Sequence, residues 1–287
     1  MVTTFKEALR SFRTATWLGW QIESNWTDPF LFTVYSIVKP VAGAMILVLM
    51  YTVVSGGGRT GDPMFAYIFL GNGFYIYVGS VLMGVSWAVI DDREHYQTLK
   101  YLYASPVRMV PYLMGRAMAR LLTGTLSVLI TLLFGVLFLH IPLRVEAVDW
   151  PLLVAAMGLG LPALAFLGLV LAGITLRTAR HAWMMGEAVA GALYLFSGAI
   201  FPLTLLPRFL QPLGYVMPLT YWLELVRRAL LAETAAEFSF LGSLSNGQLL
   251  VILAGITGVT AGVGLGLFRW CEHVARERGL FDRETHH

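Results

Sequence analysis

The chain is poor in charge. Lys, Arg, Asp and Glu together make up 13% of its 287 residues, about half of what a soluble domain carries. It has a single cysteine, Cys271, which excludes an internal disulfide and any multi-cysteine metal site. No GxxxxGK followed by Ser or Thr occurs, so the chain has no P-loop with which to hydrolyse ATP. There is no HExxH, and the six histidines are scattered, two of them at the C-terminus. An intramembrane hydrolase needs a nucleophile beside a base, or a metal site, held inside the bundle. No residues are spaced for either. The start, MVTTFKEALRSFR, carries Glu7 and lacks a short apolar core with a small-residue cleavage site; a cleavable leader is not expected there.

What is abundant is apolar sequence. Hydrophobic residues make up 57% of the chain and mean hydropathy is +0.70. They come in blocks long enough to cross a bilayer, which takes about 20 residues. The blocks predict six spans: residues 30–54, 64–90, 109–140, 151–176, 182–201 and 249–268. Residues 1–28 read instead as an amphipathic helix. Phe5, Ala8, Leu9, Phe12 and Thr16 repeat at helical spacing, opposite Lys6, Arg10 and Arg13, and Trp17, Trp20 and Trp26 follow. That pattern suits a helix lying in the headgroup layer.

Residues 203–231 are apolar but broken by Pro207, Pro212 and Pro218, with Pro202 just before them. One continuous helix is impossible there. Two short helices that enter and leave one leaflet fit better, with Glu224, Arg227 and Arg228 expected to face water. Six spans put both termini on one side. With the N-terminus inside, that side holds Lys6, Arg10, Arg13, Arg93, Lys100, Arg108, Arg177, Arg180, Arg269, Arg276, Arg278 and Arg283. The positive-inside rule favours this orientation, in the cytoplasmic membrane with the proline-broken segment outside. Residues 269–287 then form a cytoplasmic tail.

Residues 91–106, DDREHYQTLKYLYASP, form a polar island between two spans. If residues 92–103 are one helix, Tyr96, Leu99 and Tyr103 share a face that fits a groove on a partner; Ser105-Pro106 ends it. A helix merely resting on lipid is the competing reading. Lys39, about 14 Å along the first span, and Glu187, about one and a half turns into the fifth, are charges inside the membrane. Such groups usually face protein or water, so the two line a translocation path or pair with each other, unless Glu187 snorkels or bonds to the nearby Arg177, Arg180 or His181. Tyr67, Phe74, Tyr75 and Tyr77 in the second span either stack on a sugar or open an apolar exit, or simply pack on neighbouring helices. Arg116 and Arg120 read as headgroup anchors. The glycines of the last span suit close helix approach.

Glu94, Gln97-Thr98-Leu99 and Ala104-Ser105-Pro106-Val107 resemble a hallmark of ABC-2-type transporter permeases: an acidic residue, Gly-Thr-Leu, then Ser-Pro. Residues 197–230 resemble the second hallmark: Ser-Gly followed by Pro202, Leu-Pro at Pro207, Pro-Leu-Thr-Tyr ending at Tyr221, and a closing arginine such as Arg227, with Glu224 between. Gln97 stands where the family usually has glycine. The resemblance implies a type V, ABC-2 exporter-like fold: an all-α integral membrane bundle with the interface helix at 1–28, a six-span domain at 29–287 and an outer re-entrant hairpin at 203–231. It implies that residues 91–106 are the coupling helix that contacts a separate ATPase through Glu94, Tyr96, Thr98, Leu99, Tyr103, Ser105 and Pro106, with Arg177 and Arg180 on the same side. It also implies a homodimer with two ATPase subunits, which carry the ATP and Mg, so that this chain needs no cofactor and contacts lipid but no nucleic acid. The Pro-Leu-Thr-Tyr form is closer to exporters of drugs and lipo-oligosaccharides than of long polysaccharides. A secondary, ion-coupled transporter is the alternative; such folds often carry an internal repeat, and none is visible.

Overall fold

The hub of the structure is one helical rod, Pro63–His95, buried on nearly every side. It is seen in a computed structural model that describes residues 2–25, 29–56, 61–178, 182–231, 238 and 241–279. The rod comprises α3 (Pro63–Tyr77), a π turn (Val78–Leu82), α4 (Met83–Ile90) and a second π turn (Asp91–His95). Pro63 opens it where a missing N–H costs nothing. π turns inside helices concentrate at functional sites, and the second one here lies in the polar island.

Around the rod stand α2 (Pro29–Val54), α6 (Met109–Phe138), α7 (Trp150–Arg177) and α8 (Ala182–Phe196), while α1 (Val2–Asn25) packs along α6. Between the rod and α6 lies the short α5 (Leu99–Ala104). Two further short helices, α9 (Gln211–Val216) and α10 (Pro218–Leu231), precede the long α11 (Asn246–Glu277). The starts of α7 and α11 are set by side-chain caps. Asp149 accepts from the Leu152 N–H at 3.0 Å, and Ser245 with Gln248 forms a capping box.

Among the described residues, five helices are long and apolar enough to cross a membrane: Ile37–Val54 within α2, the rod, α6, α7 and α11. The fifth expected span, residues 182–201, gives a helix of only 15 residues, α8, about 22 Å long against a hydrocarbon core of about 30 Å. It stops short because Gly198 takes a left-handed conformation (φ 74°), the usual way to end a helix. Val53, Val54, Leu129, Leu133, Val251 and Val259 on α2, α6 and α11 are exposed, as expected of faces whose solvent is lipid.

Helices approach closely where side chains are small. α1 crosses α6 with Gly19 against Ala119, and Gly115 against the Phe12 carbonyl and Ala15. Of the glycines in the last span only Gly264 makes such a contact, with the Phe166 carbonyl of α7; Gly255, Gly258, Gly262 and Gly266 face open space. The exposed Phe5, Leu9, Trp17 and Trp20 leave α1 an apolar free side.

Candidate functional site

The polar island is not a single helix. The rod runs on to His95, the chain turns at Gln97 with φ 52°, and α5 begins at Leu99. Backbone bonds close the turn, Tyr96 N–H to the Asp91 carbonyl at 2.8 Å and Thr98 N–H to the Asp92 carbonyl at 2.8 Å. Left-handed backbone costs a residue with a Cβ roughly 1–2 kcal/mol, which is the physical reason a glycine is at home here. The turn takes Tyr96, Leu99 and Tyr103 off any common face. Tyr96 is 44% exposed, whereas Leu99 is 1% exposed in a core with Val85, Val89 and Leu113. Tyr103 is half-buried, with the Arg276 guanidinium 5.1 Å from its ring centre, and burial pushes its phenol up from the ordinary value. The outward face is instead Tyr96, Lys100 and Tyr101. Thr98 stands at the start of α5, Ser105 donates to the Leu102 carbonyl at 2.7 Å, and Pro106 is exposed.

Beneath the turn lies a buried ion cluster. Arg116 meets Asp92 at 2.9 Å, Tyr112 donates its hydroxyl to Asp92 at 2.9 Å, and all three side chains are buried. Asp91 lies 4.0 Å from Arg116 and 3.3 Å from Arg120, and Arg120 reaches Glu23 of α1 at 3.0 Å. Arg93, also buried, donates to the Thr175 carbonyl of α7 and to Glu94, both at 2.9 Å. Arg116 and Arg120 are therefore not headgroup anchors: they pair inward and tie α1, the rod and α6 together. Two acids ending one span and two arginines a turn apart opening the next were the available signal. Arg177 sits at the end of α7 with its guanidinium 4.6 Å from the Trp270 ring centre; Arg180 lies outside the described residues.

A cleft of about 630 Å³ opens between α2, the rod, α6 and α8. It brings together three of the predicted path residues, Lys39, Tyr75 and Glu187, with Asn72, Trp87 and Tyr194. Tyr75 and Tyr194 pack with ring centres 4.6 Å apart, Tyr75 donates to the Ala190 carbonyl, and Tyr194 donates to Asn72 at 2.7 Å. Tyr67, Phe74 and Tyr77 point elsewhere and are core. Phe74 and Tyr77 pack edge-on to Trp222 at 6.2 and 5.9 Å, and Tyr67 lies under Arg227.

The prolines do break residues 203–231. A 3-10 turn (Leu203–Leu205) follows the buried Pro202, Pro207 is exposed in a turn, and Pro218 opens α10. Tyr221 donates back to the Tyr215 carbonyl at 2.8 Å and so holds α10 against α9. The expectation that Glu224 and Arg227 face water is wrong. They are 3% and 2% exposed. Arg227 donates to the carbonyls of Tyr67 (3.0 Å), Gly198 (2.8 Å) and Ala199 (3.1 Å), with its guanidinium 3.8 Å from the Tyr67 ring centre. Glu224 accepts from Tyr67 at 3.4 Å and from Arg228 at 2.8 Å. A buried charge survives only with such partners. Gly71 makes room for them, since a Cβ there would run into the Arg227 guanidinium and the Ala199 carbonyl.

Several helices long and apolar enough to cross a bilayer mark a multi-pass membrane protein. The chain belongs to the ABC-2 type transporter family, whose sequence model matches residues 10–231, from within α1 to the end of α10. No curated protein matches it. In this family the permease is generally a non-enzymatic transmembrane component that works with an ABC ATPase.

Proposed function

We propose that the chain is the permease subunit of an ATP-driven exporter, moving a hydrophobic or amphipathic substrate (a drug, a lipid, or a lipid-linked or short glycan) out across the cytoplasmic membrane. Two copies of the chain form the path and two separate ATPase subunits drive it. α8 with the residues after it forms the fifth of six spans, both termini are cytoplasmic, and α9 with α10 forms the outer re-entrant hairpin.

The observation that carries this reading is the construction of residues 91–106. A short helix and the turn before it present Tyr96, Lys100 and Tyr101 outward, while Leu99 and the Asp92–Arg116 pair root them in the bundle. A surface that receives force from a partner needs both an exposed contact and a rigid attachment to the spans. Glu94, Thr98, Ser105 and Pro106 shape the element; Tyr96 makes the contact. A proton- or sodium-coupled transporter is the second reading, favoured by the charges Lys39 and Glu187 in the cleft. Reconstitution with and without the ATPase subunit separates the two. ATP-dependent export that needs the second subunit supports the proposal; ion-driven transport by this chain alone overturns it.

A further inference from the structure

Among the described residues, four charged side chains line the cleft: Glu23, Lys39, Arg120 and Glu187. Two of them are spent on each other. Glu23 and Arg120 meet at 3.0 Å, and Arg120 also reaches Asp91. Lys39 and Glu187 have no hydrogen-bond or ion-pair partner among the described residues. A charge within a span is costly and marks a substrate or ion pathway, so one ammonium and one carboxylate of this cleft are left for a ligand.

The surroundings of the two differ. Glu187 lies near Tyr75, whose ring packs on Tyr194, and Trp87 lines the same cleft. A carboxylate beside aromatic faces is the chemistry that takes an ammonium group. Lys39 is a compact point charge, suited to a phosphate or carboxylate. The volume of about 630 Å³ is in the range of sites for drug-sized ligands. We propose that the cleft takes a zwitterionic amphiphile, with its anionic group at Lys39 and its ammonium group at Glu187, beside the packed rings of Tyr75 and Tyr194. As the substrate class this rests on the export reading; as a binding site it does not.

The test is equilibrium binding to the purified chain in nanodiscs, without ATPase or nucleotide. Four single-chain amphiphiles of one tail length are compared, bearing phosphocholine, phosphate, trimethylammonium and maltoside heads. The parent should bind the phosphocholine probe about tenfold tighter than either singly charged probe. Glu187→Gln should lose that advantage and rank phosphate above ammonium. Lys39→Met should lose it and rank ammonium above phosphate. Lys39→Arg and Glu187→Asp, which keep the charges, should retain the parent's order. The proposal is overturned if neutralisation leaves the ranking unchanged, or if both neutral variants weaken all four probes alike. Neither outcome touches ATP-driven export, which the reconstituted complex reports separately.

Discussion

Cutting one side of the Asp92–Arg116 pair should unfold the protein more readily than cutting both. In Asp92→Leu the Arg116 guanidinium stays buried with only the Tyr112 hydroxyl at 3.1 Å and Asp91 at 4.0 Å. Removing one partner of a buried pair costs about 3–5 kcal/mol. The residual attraction of Asp91 puts this case near the lower end, about a hundredfold in the folding equilibrium. Arg116→Met strands Asp92 in the same way. The double variant leaves no stranded charge; its remaining cost is the unmet Tyr112 hydroxyl, about 1–3 kcal/mol. Unfolding of the parent and the three variants, followed by helical circular dichroism in detergent micelles, measures the cycle. The double variant should lie closer to the parent than either single does. If its loss equals the two single losses combined, the pair is not coupled and the ion cluster does not hold the island in place.

Leu99→Ala should destabilise the fold by about 2–5 kcal/mol in the same assay, because its side chain fills the core under the turn; a loss below about 1 kcal/mol would contradict that placement. Gln97→Gly should be neutral or stabilise by up to about 1 kcal/mol, whereas Gln97→Val should destabilise, as φ 52° requires; the reverse order would refute the left-handed turn. Gly71→Ala should cost about 1–3 kcal/mol or more by displacing Arg227, while Gly262→Ala, in open space, should stay within about 0.5 kcal/mol of the parent; equal thermal shifts would contradict the packing.

The apolar spans, the proline breaks and the polar island were legible in the sequence because lipid and proline act on chain composition itself, residue by residue. What was not legible depends on which way helices face each other. Arg116 and Arg120 look the same in sequence whether they reach for headgroups or for Asp92 and Asp91. Glu224 and Arg227 look like surface residues until Gly71 lets the rod come close enough for Arg227 to reach three backbone carbonyls. The shared face of Tyr96, Leu99 and Tyr103 assumed an unbroken helix, and a single left-handed residue at Gln97 undoes it. In the cleft, Lys39 and Glu187 were visible as odd charges, but Asn72 and Tyr194 carried no signal of their own.

The central claim is that a separate ATPase docks on the outward face of α5 and the turn before it. Retention of the ATPase subunit by the purified permease, and ATP-driven transport by the reconstituted complex, test it in the parent and in Tyr96→Ala. Truncating a central aromatic in such a contact costs about 2 kcal/mol or more, roughly a thirtyfold loss of affinity. Tyr96 is exposed, so the variant should keep the parent's unfolding midpoint while releasing its ATPase or losing coupled transport. A Tyr96→Ala chain that folds, holds its ATPase as tightly as the parent and transports at the parent's rate would contradict the claim.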